Sequence, residues 1–154
     1  MDKFNILTPE LLKGKNILII GCPASGKSHI TELLSFLEIP VFHTDDYKDH
    51  GFKDSLYVLI NDLVKQGRPV IVEGVMGYRL LRKPDSWTPD IIIHVMISEE
   101  TMIERYERER PGRDIRAVRR LADFDYRLLH EYMGVMKYND IIPQIITIDN
   151  EYEK

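Results

Sequence analysis

A β-branched run, Asn16-Ile17-Leu18-Ile19-Ile20, passes without a gap into Gly21-Cys22-Pro23-Ala24-Ser25-Gly26-Lys27-Ser28. No other stretch narrows the fold as far. The run is apolar without alternation, which predicts a strand buried on both faces, as in a parallel sheet. The glycine-flanked segment then leads directly into a helical pattern, with Ile30, Leu33, Leu34 and Leu37 at i, i+3, i+4 and i+7. That periodicity predicts a helix over 27–37. A strand, a tight turn and a helix in immediate succession call for an α/β architecture.

The rest of the chain continues the alternation. Pro40 ends the helix and Val41-Phe42-His43 gives a short second strand. Leu56, Leu59, Ile60, Leu63 and Val64 make a further helical stripe, closed by Gly67. Residues 70–73 form a third strand ending in Glu73, and Pro89-Asp90 introduces a fourth over 91–97. Ser98 is placed to cap the next helix, with Glu99 and Glu100 where the helix dipole favours acids. Pro111-Gly112 breaks that helix. Ile115, Val118, Leu121, Leu128 and Leu129 mark another helical stretch, and 144–148 gives the last strand. Five strands with helices between them predict one α/β domain over 1–154, with a parallel sheet covered on both faces.

Composition removes whole classes. At 154 residues, with 44% apolar and 30% charged, the chain is an ordinary globular domain. No apolar run approaches the roughly 20 residues needed to span a bilayer. Residues 1–10 lack the basic, apolar and small-residue succession of a secretory signal. Cys22 is the sole cysteine, so no intrachain disulfide can form and a reducing, cytoplasmic setting is expected. The formal charge of −4 argues against a chain that coats nucleic acid, although charge is unevenly spread.

Gly21 to Ser28 satisfies G-x-x-x-x-G-K-[ST] in the strand-to-helix context that gives this pattern meaning. Its glycines allow a tight turn whose N–H groups can face phosphate oxygens. Lys27 can reach the β- and γ-phosphates, and the Ser28 hydroxyl can ligate Mg²⁺. Gly21, Ala24, Ser25, Gly26, Lys27, Ser28 and His29 are therefore the candidate nucleotide-binding segment. Cys22 has two readings: a thiol activated by the helix start, or a small residue suited to a cramped loop, which is preferred.

The loop implies nucleoside triphosphate binding, and the remaining residues narrow the class. None of the nine glycines has Asp three residues before it and no Asn-Lys-x-Asp occurs, which excludes a GTPase switch. The third strand ends in Glu73-Gly74, where motor-type ATPases carry Asp-Glu. The loop, then Thr44-Asp45-Asp46-Tyr47, then Val70-Ile71-Val72-Glu73-Gly74 together resemble the P-loop nucleoside and nucleotide kinases, with uridine kinase-like members nearest. Arg105-Tyr106-Glu107-Arg108-Glu109-Arg110-Pro111-Gly112-Arg113 is similar to the arginine-rich lid of these kinases. Ile148-Asp149-Asn150 resembles the close of their fifth strand, near the adenine.

The resemblance implies a three-layer sandwich with strand order 2-3-1-4-5, an acceptor region near 44–69 and a lid near 105–116. It implies ATP as phosphate donor and Mg²⁺ as cofactor. It makes Asp45 the general base beside the acceptor, with Asp46 able to exchange roles; in an extended segment only one of the two would face the phosphates. The alternative is that both cap a loop or helix. Glu73 would contact Mg²⁺ through water, or the acceptor; the alternative is a salt bridge to an arginine. Ser28, Asp45 and Glu73 are the candidate metal residues.

From Glu104 to Arg120 there are seven arginines and four acids, a local +3 in a chain of net −4. Arg108 and Arg113 are the candidates to neutralise the transferred phosphoryl, and Arg105 and Arg110 to hold nucleotide. The Glu/Arg alternation also fits a solvated helix face. His43, Asp45, Asp46, Asp49 and His50 match no common zinc spacing. Tyr126, Tyr132 and Tyr138 are expected to pack within helices. The acceptor expected first is a small nucleoside-type hydroxyl. A hydroxyl on nucleic acid, such as a hydroxymethylated base in DNA, ranks second. A nucleoside monophosphate held by Arg79 and Arg82 ranks third. A nucleotide-binding regulatory module is the non-enzymatic alternative, and the residues do not speak to oligomeric state.

Overall fold

The computed structural model describes residues 4–21, 25–46, 52–74, 87–112, 114, 116, 117, 119, 120, 127, 130, 133, 134, 137 and 143–150, with backbone alone over 52–57. The elements in order are α1 (Pro9–Leu12), β1 (Ile17–Gly21), α2 (Lys27–Leu33), β2 (Val41–His43), α3 (Phe52–Lys65), β3 (Ile71–Glu73), β4 (Ile91–Met96), α4 (Glu99–Glu109) and β5 (Gln144–Asp149). The five strands form one sheet in the order β2-β3-β1-β4-β5, every pair parallel. This is the expected order, and it explains the unbroken apolar run. β1 lies between two neighbours and all five of its residues are buried.

One face of the sheet carries the core. Ile17, Ile19, Ile91, Ile93, Val95, Ile146 and Ile148 meet Ile30 and Leu34 from the α2 segment, and Leu7 and Leu12 from the N-terminal segment. Side chains of this kind each stabilise the fold by about 1.5–3 kcal/mol when fully buried. Leu18, Ile20, Val72 and Ile92 alternate to the opposite face and are also fully buried. Asn16 aligns the strands at their entry: its Oδ1 accepts from Val70 N–H at 3.0 Å, and its own N–H donates to Asp90 Oδ2 at 2.8 Å. The carboxyl ends of β3, β1 and β4 thereby fall along one edge.

Three expectations change. The helix over 27–37 ends at Leu33, and a 3₁₀ turn over Ser35–Leu37 follows, with Glu38 left-handed at φ 53°. The chain must reverse here to enter β2 at Val41, and a continued helix would carry it past the sheet. Leu33 is consequently 39% exposed while Ile30 and Leu34 are buried. The α3 stripe is only partly internal: Ile60 is fully buried, whereas Leu59 and Val64 face outward. α1, capped by the Thr8 hydroxyl with Pro9 in its first turn, has no counterpart in the sequence reading, yet it seats Leu12 in the core.

Other details agree closely. Gly67, at φ 75°, follows α3 as a left-handed closing residue. Ser98 Oγ accepts from Thr101 N–H at 3.1 Å and caps α4, which stops before Pro111-Gly112. Of the stretch beyond, the described residues from 116 to 137 are helical. Ile115, Val118, Leu121, Leu128, Leu129, Tyr126, Tyr132 and Tyr138 lie outside the described residues. Among the described residues no helix is long and apolar enough to cross a membrane.

Candidate active site

The phosphate-loop segment leaves β1 at Gly21 in the middle of the sheet's carboxyl edge. A Cβ on Gly21 would approach both Ser25 Oγ and the Val95 carbonyl oxygen to 2.6 Å, so the close packing of loop on β4 demands glycine. Gly26 has φ 100°, a left-handed backbone that a side chain would strain, and a Cβ there would run into the Asn150 carboxamide. Lys27 opens α2 and is buried, its Nζ donating to Ser25 Oγ at 3.3 Å. Ser28 and His29 are exposed on the first turn. Cys22, Pro23 and Ala24 lie outside the described residues.

Beside this loop is a cavity of about 340 Å³ lined by Phe4, His29, Arg105, Arg108, Glu109 and Asn150. The Phe4 and His29 rings meet edge to face, with centroids 5.8 Å apart and planes at 73°. Asn150, which follows β5, donates from Nδ2 to the Ser25 carbonyl at 2.8 Å, and its own carbonyl accepts from Arg105 Nη2 at 2.8 Å. The cavity thus adjoins the phosphate loop, with aromatic, cationic and amide groups around it.

The other carboxyl-edge groups come from β2 and β3. Glu73 ends β3 in register with Ile19 of β1 and His43 of β2. Its Oε2 lies 2.7 Å from His43 Nδ1, and its side chain is 9% exposed against 47% for the histidine. An arginine was the alternative partner for Glu73; the group found beside it is the His43 imidazole. Asp45 and Asp46 sit in a 3₁₀ turn over Thr44–Asp46, both exposed. The expectation that they alternate as in an extended segment fails, because a 3₁₀ turn has threefold periodicity. Thr44 is fully buried against Gly74, whose φ of 145° and missing side chain make the room.

Three arginines of this segment engage side chains of α4. Arg108 Nη2 lies 3.3 Å from Glu104 Oε1, Arg110 stacks over Tyr106 at 5.5 Å, and Arg119 Nε meets Glu99 Oε1 at 2.8 Å. The alternative of a solvated helix face describes the Arg108 and Arg110 contacts, whereas Arg119 reaches α4 from beyond Pro111-Gly112. Arg105 is different, since it reaches across to Asn150. Arg113, Arg79, Arg82, Tyr47, Asp49 and His50 lie outside the described residues.

The structure therefore gathers Gly21, Ser25, Gly26, Lys27, Arg105 and Asn150 at one point, with Glu73 and the Asp45-Asp46 turn farther along the same edge. Sequence reasoning missed the His43–Glu73 pair and the contribution of Phe4. In retrospect, equal spacing of His43 and Glu73 from the starts of two parallel strands was a usable signal for the first. Phe4 carried none.

Neither a protein-family model nor a curated protein matches the chain. Among solved structures, a candidate kinase from Chloroflexus aurantiacus J-10-fl is similar at a TM-score of 0.56 and 15% identity, over 92% of this chain and 88% of that one. Deoxyadenosine kinase from M. mycoides, with dCMP and dCDP as bound products, is similar at a TM-score of 0.51 and 15% identity, over 90% of this chain and 92% of that one. At this identity the likeness is one of fold. The fold is that of the P-loop kinases.

Proposed function

We propose that the chain is a phosphotransferase that uses ATP and Mg²⁺ to phosphorylate a hydroxyl, most simply that of a nucleoside-type small molecule. The observation that carries this reading is the loop itself. A glycine-bounded segment with a buried lysine leaves the central strand of a 2-3-1-4-5 sheet, and the exposed carboxylates of Asp45 and Asp46 stand on the same edge. A triphosphate seated in the loop would set its anionic oxygens beside this ammonium and at the start of α2. The adjoining cavity would take the base of the nucleotide, against Phe4, His29 and Arg105.

In this reading Lys27 binds the β- and γ-phosphates, and the acceptor hydroxyl approaches from the β2 side. Asp45 takes the hydroxyl proton as the oxygen attacks the γ-phosphorus, the bond to the β–γ bridging oxygen breaks, and ADP leaves. Asp46 is the nearest substitute for Asp45. The Ser28 hydroxyl and the carboxylates of Asp45 and Glu73 are hard oxygen donors that suit Mg²⁺, which when bound neutralises charge on the phosphates. Arg108 and Arg110 would reach phosphate only by leaving partners on their own helix, and closure of the lid, with Arg113 joining them, is the step that would exchange them.

Exposure of Asp45 and Asp46 leaves space for a larger acceptor, so nucleic-acid hydroxyls belong in the test. The experiment is transfer from γ-labelled ATP with Mg²⁺ into separate pools of nucleosides, nucleoside monophosphates and DNA with natural or hydroxymethylated bases. Label entering the nucleoside pool is the expected result. Label entering another pool would reassign the acceptor, and tight ATP binding with no transfer to any pool would favour a regulatory module.

A further inference from the structure

We propose that Asn150 is a positioning residue that holds the phosphate loop in its phosphate-accepting shape and ties that shape to α4. The proposal rests on the nucleotide-binding reading of the loop. Asn150 is 8% exposed and connects three separate segments. Its N–H donates to the Met96 carbonyl at 2.8 Å, which fixes it at the end of β4. Its Nδ2 donates to the Ser25 carbonyl at 2.8 Å, within the loop. Its own carbonyl accepts from Arg105 Nη2 at 2.8 Å, on α4. The carboxamide also fills the space that Gly26 leaves by lacking a Cβ.

The consequence follows from peptide geometry. The Ser25–Gly26 peptide is trans, so the Ser25 C=O and the Gly26 N–H point in opposite directions. Drawing the carbonyl to Asn150 aims the Gly26 N–H to the other side, away from Asn150 and free to face a phosphate. It also keeps a carbonyl oxygen from facing phosphate oxygens, which would repel it. A loop free to flip that peptide would have to be ordered each time nucleotide binds, at a cost in affinity. Gly26 is thus constrained twice, by its left-handed φ and by the amide packed against it. Arg105, in turn, acts as a strut: its guanidinium braces the backbone of the residue that braces the loop.

Two measurements on the full chain test this. The first is hydrogen exchange of the amides over 25–28 without nucleotide, in wild type, Asn150→Ala and the near-isosteric Asn150→Asp. The proposal expects exchange about 10-fold faster in both variants, because the anchor of the loop is gone. The second is steady-state kinetics with ATP. Loss of loop order should raise KM for ATP about 10-fold and leave kcat within about 3-fold. Arg105→Lys, which keeps a donor, should fall between wild type and Asn150→Ala.

Unchanged exchange in Asn150→Asp overturns the proposal. So does a fall in kcat at constant KM, which would mean only that less folded protein is present. A wild-type protein that turns over no ATP would defeat the kinase reading, and the exchange result would still decide the role of Asn150.

Discussion

The two halves of the sheet edge are built differently. On the phosphate-loop side, β1 is wholly buried, β4 pairs with β5 over six residues, and Asn150 joins loop, strand and helix. On the other side, β2 pairs with β3 over only three residues, β2 is an edge strand with two exposed side chains, and Asp45 and Asp46 stand in solvent. Under the proposed function, the loop side is held in place by the protein itself and the β2 side is left open to be completed by the acceptor. A kinase of the kind proposed, which would hold a common donor and recognise a particular acceptor, would be well served by that division. Binding order imposed at the donor end reduces the ordering cost there, while specificity is decided where the protein is least committed.

Substitutions can break this contrast or sharpen it. The largest effect is expected at Lys27: Lys27→Ala should lower kcat/KM for ATP by about 10²–10³-fold, measured in the transfer assay, because a buried cation at the phosphates is removed. Asp45→Asn should lower kcat by about 10²-fold and leave ATP binding nearly intact, since the acceptor proton loses its base while the carboxamide keeps an oxygen donor for Mg²⁺ beside Ser28 and Glu73. An equal loss of ATP binding in that variant would erase the distinction between the halves. Gly26→Ala should destabilise the fold by about 1–3 kcal/mol in urea titration, through left-handed strain and collision with Asn150.

The milder tests concern the scaffold. Ser98→Ala should cost about 1 kcal/mol in thermal unfolding by removing the cap of α4, with little change in acceptor selection. His94 on β4 gives a pH-dependent slope. Burial, with repulsion from His130 second, lowers its pKa below 6.5. The unfolded chain then binds a proton that the folded chain resists, so stability is highest above 6.5 and declines as pH falls below it. Urea midpoints measured from pH 7.5 to 5 should show this decline, and His94→Gln should flatten it.

The legible and illegible parts of the molecule divide along physical lines. The strands around Ile17, Ile71 and Ile91 were readable because burial on two faces writes itself as continuous apolar runs, and the edge strands at Val41 and Gln144 because Pro40 and Pro143 set off their starts. The Ser98 cap and the Pro111-Gly112 stop were readable because caps and breakers act over three or four residues. The sheet order came through the family resemblance carried by the loop. The early end of α2 was hidden, since Leu37 continues the helical period although the chain has already begun to turn. The His43–Glu73 pair joins residues 30 apart and the Asn150–Ser25 bond joins residues 125 apart. Local periodicity holds no record of either, because each depends on strand register and sheet order together. The least legible residues of the candidate site are thus those whose partners are supplied by topology.

The decisive measurement is a calorimetric titration of a non-hydrolysable ATP analogue with Mg²⁺ into wild type, Lys27→Ala and Asp45→Asn. A donor site built independently of the acceptor side predicts binding to wild type, loss of at least about 10-fold in affinity for Lys27→Ala, and a change within about 3-fold for Asp45→Asn. No binding to wild type, or equal losses in the two variants, would contradict it.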